Sequence, residues 1–151
     1  MNDATFDPAM PHVDGVEHRF VEVRGMRVHV AEAGEGPPLL LLHGWPQHWY
    51  CWHRLVPLLP GFRLVMPDMR GFGWSDVPDT GYDKENLATD VLALMEELDI
   101  ERAGIIGHDW GGWIGFLTAL RAPERVAALF AVSIAHPFVS MDMRTIVQSW
   151  R

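Results

Sequence analysis

The stretch Gly107-His108-Asp109-Trp110-Gly111-Gly112 stands between an apolar run, Ala103 to Ile106, and a helical pattern from Gly111 to about Arg121 that Pro123 ends. Its form is small-x-nucleophile-x-small-small. A sharp strand-to-helix turn forces its central residue into a strained conformation, and only small neighbours let the backbone pass so closely. The central side chain is then presented at the carboxyl edge of a sheet. Here that residue is Asp109 rather than Ser, and a carboxylate attacks a saturated electrophilic carbon directly, leaving an ester on the protein. The same letters also fit a Gly-rich turn whose aspartate caps the following helix. The strand before and the helix after are what favour the nucleophile.

A second motif, His43-Gly44-Trp45-Pro46, ends the run Pro38-Leu39-Leu40-Leu41-Leu42. That run is apolar on both faces and bounded by Gly and Pro, as a strand buried in a parallel sheet is. A loop at its carboxyl end can aim an amide at the nucleophile of a neighbouring strand. Hydrolysis of an alkyl ester passes through an oxyanion that needs such donors, and the amides of Trp45 and Trp110 are the two candidates. Read alone, Gly44 and Pro46 are a turn and a helix start. Two motifs at consistent topological positions make that the poorer account.

Working outward, Phe20 to Val23 and Met26 to Val30 alternate about Arg24-Gly25 as an antiparallel hairpin. Pro46 to about Leu59 is expected to be a helix, with Trp45, Trp49 and Trp52 on one face, followed by a short strand from Phe62 to Met66. From Leu87, the residues Val91, Leu94, Met95 and Leu98 fall at offsets of four, seven, eight and eleven, with Asp83 as N-cap. Ala103 to Ile106 reads as another buried strand, Val126 to Val132 as one more strand, and Trp113 as a core residue. Alternation of strand and helix from Leu39 onward predicts an α/β sheet, mostly parallel, entered through the hairpin. Asp68 and Arg70 are expected to pair across their loop.

Composition narrows the partners. The 151 residues are 48% apolar and 21% charged, the profile of an ordinary globular domain. Twenty acidic against twelve basic residues give a net charge of -8, which disfavours nucleic acid. The single Cys51 excludes an internal disulfide. The first fifteen residues lack a basic start followed by an apolar stretch, so a cytoplasmic location is expected. The longest nearly apolar run, Val126 to Ala135, is ten residues against the roughly twenty of a membrane span. Gly71-Phe72-Gly73 is followed by Asp76 where a dinucleotide loop needs glycine. His48 and His53 are five apart, about 140° around a helix, so neither a metal nor any other cofactor is expected.

With its three motif stretches, His43 to Pro46, Pro67-Asp68-Met69-Arg70-Gly71-Phe72-Gly73-Trp74-Ser75-Asp76 and Gly107 to Gly112, the chain resembles the α/β-hydrolase superfamily. Within it, the chain looks most like the epoxide hydrolases of the aspartate-nucleophile branch. The neighbouring haloalkane dehalogenases share the Asp-Trp pair, and in them the Trp matched by Trp110 helps hold halide. Trp45, together with Ala135-His136-Pro137-Phe138, is closer to the epoxide-hydrolase pattern.

The resemblance implies an arm at 1–18, a partial α/β-hydrolase core at 19–138 and the start of a lid at 139–151, with the rest of the lid and the C-terminal strands absent. It implies a small apolar epoxide as substrate, or a haloalkane as the alternative, and a catalytic acid and histidine on later loops. After Asp109 the chain offers only Glu124, Asp142 and His136. Glu124 falls at the amino end of its strand, the wrong edge, and His136 matches a lid entrance that lines the pocket. Tyr50 and Tyr82 match no lid position. The expectation is therefore the amino-terminal part of a longer hydrolase whose acid and base lie outside this chain, with the open edge of the last strand an aggregation hazard. The competing reading is a non-catalytic binding fragment.

Overall fold

Leu40, Leu41 and Leu42 have no exposed surface, so the strand that carries them is covered on both faces. The computed structural model describes residues 9–134. Its strands are β1 (Val16–Val23), β2 (Met26–Ala33), β3 (Pro38–Leu42), β4 (Arg63–Pro67), β5 (Ala103–His108) and β6 (Val126–Val132), with helices α1 (Lys84–Glu97) and α2 (Trp110–Arg121). They form one six-stranded sheet in the order β1-β2-β4-β3-β5-β6. The pairs β1/β2 and β2/β4 are antiparallel, and β4/β3, β3/β5 and β5/β6 are parallel. The mostly parallel sheet with an antiparallel entrance is the expected one.

The hairpin is longer than its alternating core, because pairing extends from Val16↔Ala33 to Val23↔Met26. Arg24 (φ 51°) and Gly25 (φ 76°) both take the left-handed conformation that a two-residue hairpin turn requires. Asp83 caps α1 as expected, its carboxylate accepting from the Asn86 amide at 2.9 Å.

Two cores lie on opposite faces of the sheet. On one, Leu87, Val91, Leu94 and Met95 of α1 and Ile114 of α2 pack on Val28, Val30, Leu42 and Ile105. On the other, Trp49 and Trp52 pack on Ala31, Leu41, Leu64 and Met66.

The segment Pro46 to Leu59 is not the continuous helix its apolar spacing suggested. It forms two single 3₁₀ turns, Trp49–Trp52 and Val56–Leu58. Pro57 has no N–H to donate and its ring would collide with the carbonyl four residues back, so an α-helix cannot run through it. In a 3₁₀ turn residues three apart eclipse, which drives Trp49 and Trp52 into the core together while Trp45 stays 62% exposed. The three indoles therefore do not share a face, and Trp113 is half-buried rather than fully in the core.

Among the described residues β6 pairs with β5 alone, and Phe130 on it is 65% exposed. Glu124 precedes β6 at its amino end. No helix among the described residues is long and apolar enough to cross a membrane. His136 and 139–151 lie outside the described residues.

Candidate active site

Strand β5 runs to His108 and α2 begins at Trp110, one residue earlier than the sequence pattern indicated, leaving Asp109 alone to make the turn. It does so at φ 52°, ψ -117°, a conformation that costs a non-glycine residue about 1–3 kcal/mol. The surroundings hold it there. The Asp109 amide donates to Val132 O at 2.9 Å, and its carbonyl accepts from the amides of Gly112 at 3.0 Å and Trp113 at 3.2 Å.

The small residues are explained by what stands next to them. A Cβ on Gly107 would run into the carbonyl of Gly111, and one on Gly44 would lie 2.6 Å from Asp109 Cβ. Gly111 and Gly112 are buried beneath the turn, against the Leu42 carbonyl and the Ile134 side chain. Strands β3 and β5 are parallel neighbours, so their carboxyl ends bring the two motifs together. The Trp45 amide donates to Asp109 Oδ1 at 3.1 Å. Pro46 follows Trp45 through a cis peptide bond.

His43 is a pin for these loops. It is fully buried. Its Nδ1 lies 3.0 Å from Gly44 O and its Nε2 3.0 Å from the Met69 amide. A carbonyl only accepts and an amide only donates, so the proton sits on Nδ1 and the ring is neutral. Burial pushes the His43 imidazole below its ordinary range.

His108 donates from Nδ1 to Gln47 Oε1 at 2.9 Å, and the same oxygen accepts from the Gly44 amide at 3.2 Å. Gln47 thus ties the residue before Asp109 to the residue before Trp45. Nothing in the sequence marks Gln47 for this role, because the contact spans |i−j| of 61.

Trp110, half-buried, follows Asp109, and its amide is among the first of α2, which have no intrahelical acceptor. Its ring meets Phe72 edge-on at 6.4 Å, and Phe72 meets His43 edge-on at 5.3 Å.

The expected Asp68–Arg70 pair does not form. Arg70 makes a two-pronged bond to Asp90, Nε to Oδ2 at 2.8 Å and Nη2 to Oδ1 at 3.0 Å. Asp68 is fully buried and bonds His29 Nδ1 at 2.7 Å while accepting the amides of Trp49 at 2.7 Å and Trp74 at 3.0 Å. Asp68 thus gathers one strand histidine and two loop amides, while Arg70 bonds the helix. The tyrosines are likewise occupied elsewhere: the Tyr50 ring stacks on His53 at 4.2 Å, and the Tyr82 hydroxyl donates to Pro78 O at 2.6 Å.

Comparison with known proteins agrees with this fold. The family described as alpha/beta hydrolase fold matches residues 37–151. A soluble epoxide hydrolase of Corynebacterium sp. (strain C12) is 43% identical over 120 residues, which are 79% of this chain and 42% of that protein. Epoxide hydrolase 3 of Siraitia grosvenorii is 39% identical over 126 residues, 81% of this chain and 40% of its own length. The crystal structure of an epoxide hydrolase from Vigna radiata superimposes with a TM-score of 0.79 at 37% identity, covering 89% of this chain and 43% of that one. The chain spans about two fifths of the length of the curated relatives it matches. From the strained aspartate turn, the opposing amide and these likenesses together, the chain belongs to the alpha/beta hydrolase fold family.

Proposed function

We propose that this chain carries the nucleophile half of an epoxide hydrolase, with Asp109 as the attacking carboxylate. One observation carries the reading: Asp109 holds a costly positive-φ turn at the sheet's carboxyl edge while the Trp45 amide contacts one of its two oxygens. Oδ1 is engaged, so Oδ2 is the attacking atom. Its lone pair forms the bond to an epoxide carbon, the carbon–oxygen bond of the ring breaks, and the electron pair leaves on the epoxide oxygen, which takes up a proton. The product is an ester whose carbonyl oxygen is Oδ1. Water attack at that carbonyl places the developing negative charge on Oδ1, where the Trp45 amide already stands and the Trp110 amide is the second donor. Collapse then breaks the bond from the carboxyl carbon to Oδ2, which leaves with a proton as the second hydroxyl of the diol and restores the Asp109 carboxylate. The Trp45 amide is thus arranged before reaction, which avoids reorganisation at the transition state.

The acid and histidine that activate the water are assigned to the part of the relatives' length that this chain does not span. A small apolar epoxide is the proposed substrate, supported by what the Corynebacterium and Siraitia relatives are named for. The test is intact mass and peptide mapping after incubation with an aryl epoxide. An adduct of one epoxide on Asp109, absent in Asp109→Ala, is the expected result. No adduct at Asp109, or the same adduct in the variant, refutes the assignment.

A further inference from the structure

Lys84 is the chain's single lysine. It occupies the first position of α1, where the unpaired amides and the helix dipole disfavour a cation. No described carboxylate forms an ion pair with it. Helix formation therefore does not account for a lysine here, and its ammonium instead lies 3.9 Å from the centroid of the Trp110 ring. Charge over an indole face is an attractive arrangement. Because α1 follows β4, its first residue stands at the carboxyl edge of the sheet, the same edge as Asp109.

We propose that Lys84 is a positioning residue for the nucleophile turn, fixing the Trp110 indole and through it the backbone that follows Asp109. The indole is held on its face by Lys84 and by Phe72 in an edge contact at 81°, two directions that together fix its rotation. Phe72 continues the contact to His43, whose ring bonds the Gly44 carbonyl. Lys84 thus closes a chain of rings that connects the peptide after Asp109 with the loop that carries the Trp45 amide. The proposal rests on the reading of Asp109 as nucleophile, since only that reading makes the turn's geometry matter to a reaction.

A sole lysine makes the contact directly observable. Reductive methylation with ¹³C-formaldehyde gives one lysine resonance, which keeps its charge and is separate from that of the terminal amine. It is expected upfield of free dimethyl-lysine because it lies over the indole, and to return to the free position in Trp110→Leu. In unmodified chain, Lys84→Met is expected to slow the limiting rate of Asp109 ester formation with an aryl epoxide by roughly fivefold, the factor expected of a contact of this class. The half-saturating epoxide concentration stays unchanged, and Lys84→Arg restores the rate. A lysine resonance without the upfield shift overturns the proposal, as does an ester that forms equally fast in Lys84→Met. Absence of the ester from wild-type chain instead overturns the nucleophile reading on which it rests.

Discussion

The Trp45 amide reaches Asp109 Oδ1 at 3.1 Å although the two residues are 64 positions apart in the chain. Parallel pairing of β3 with β5 makes this possible, because it sets Leu42 against Gly107 and so aligns the two loops that follow. The contact divides the carboxylate into one oxygen held by a donor and one that, under the proposed function, is left to react.

That division gives an isotope prediction. If Asp109 forms the proposed ester, attack of ¹⁸O-water at its carbonyl sends Oδ2 out with the diol, so a single turnover places label in the Asp109 carboxylate and none in the diol. Mass spectrometry of the Asp109 peptide after a single turnover, with an added general base such as imidazole, checks it. Label confined to the diol means that water attacked the alkyl carbon.

Under the proposed function, strain and reactivity oppose each other at Asp109. Asp109→Gly removes the penalty at φ 52°, partly offset by the greater freedom of glycine in the unfolded chain. We expect a gain of about 1 kcal/mol in unfolding free energy together with complete loss of ester formation. Denaturant unfolding at constant m-value measures the first, and an equal or lower stability contradicts the strain account.

At Gly44 the sign reverses. A methyl there would stand 2.6 Å from Asp109 Cβ and 3.0 Å from the His108 carbonyl, so the loops must separate. Gly44→Ala should cost about 1–3 kcal/mol and slow ester formation at least tenfold. Thermal unfolding and the alkylation rate are the readouts, and a fully reactive variant would show that the close approach is dispensable.

Gln47 Oε1 serves two donors, the Gly44 amide and His108 Nδ1. Gln47→Leu leaves both unpaired beside Asp109 and is expected to destabilise by about 2 kcal/mol. Gln47→Glu keeps the acceptor and should retain most of that stability. Equal stabilities for the two variants would remove the bridge from the account.

Acid should loosen the fold at His43. Burial lowers its folded pKa below the ordinary 6.5, so the unfolded chain binds the proton more readily. The stability it contributes is present above about pH 6.5 and is lost as pH falls from there towards the folded pKa. His18 is lowered too, first by burial and then by the neighbouring His29, and acts with the same sign. The unfolding midpoint of wild-type chain should fall between pH 7 and 5.5, and more steeply than that of His43→Asn. Parallel curves would exclude His43 as a source of the slope.

Much of the architecture is local and was legible from the residues. The double-faced run Pro38 to Leu42, the helical spacing behind Asp83, the alternation about Arg24-Gly25 and the small residues around Asp109 each depend on neighbours within a few positions, which is where propensity and periodicity act. Those features determined the α/β class, the order of elements and Asp109 as the candidate nucleophile. What only the tertiary structure decided was pairing at long range. Asp68 bonds His29, 39 positions away, rather than nearby Arg70, and Arg70 bonds Asp90. Gln47 bridges to His108, and Lys84 caps Trp110. The segment after Pro46 gave up its helix so that Trp49 and Trp52 could fill one face of the sheet. The reason is the same in each case: a side chain's partner is set by which strands lie side by side and in what register, and burial strengthens whichever polar pairs that register brings together.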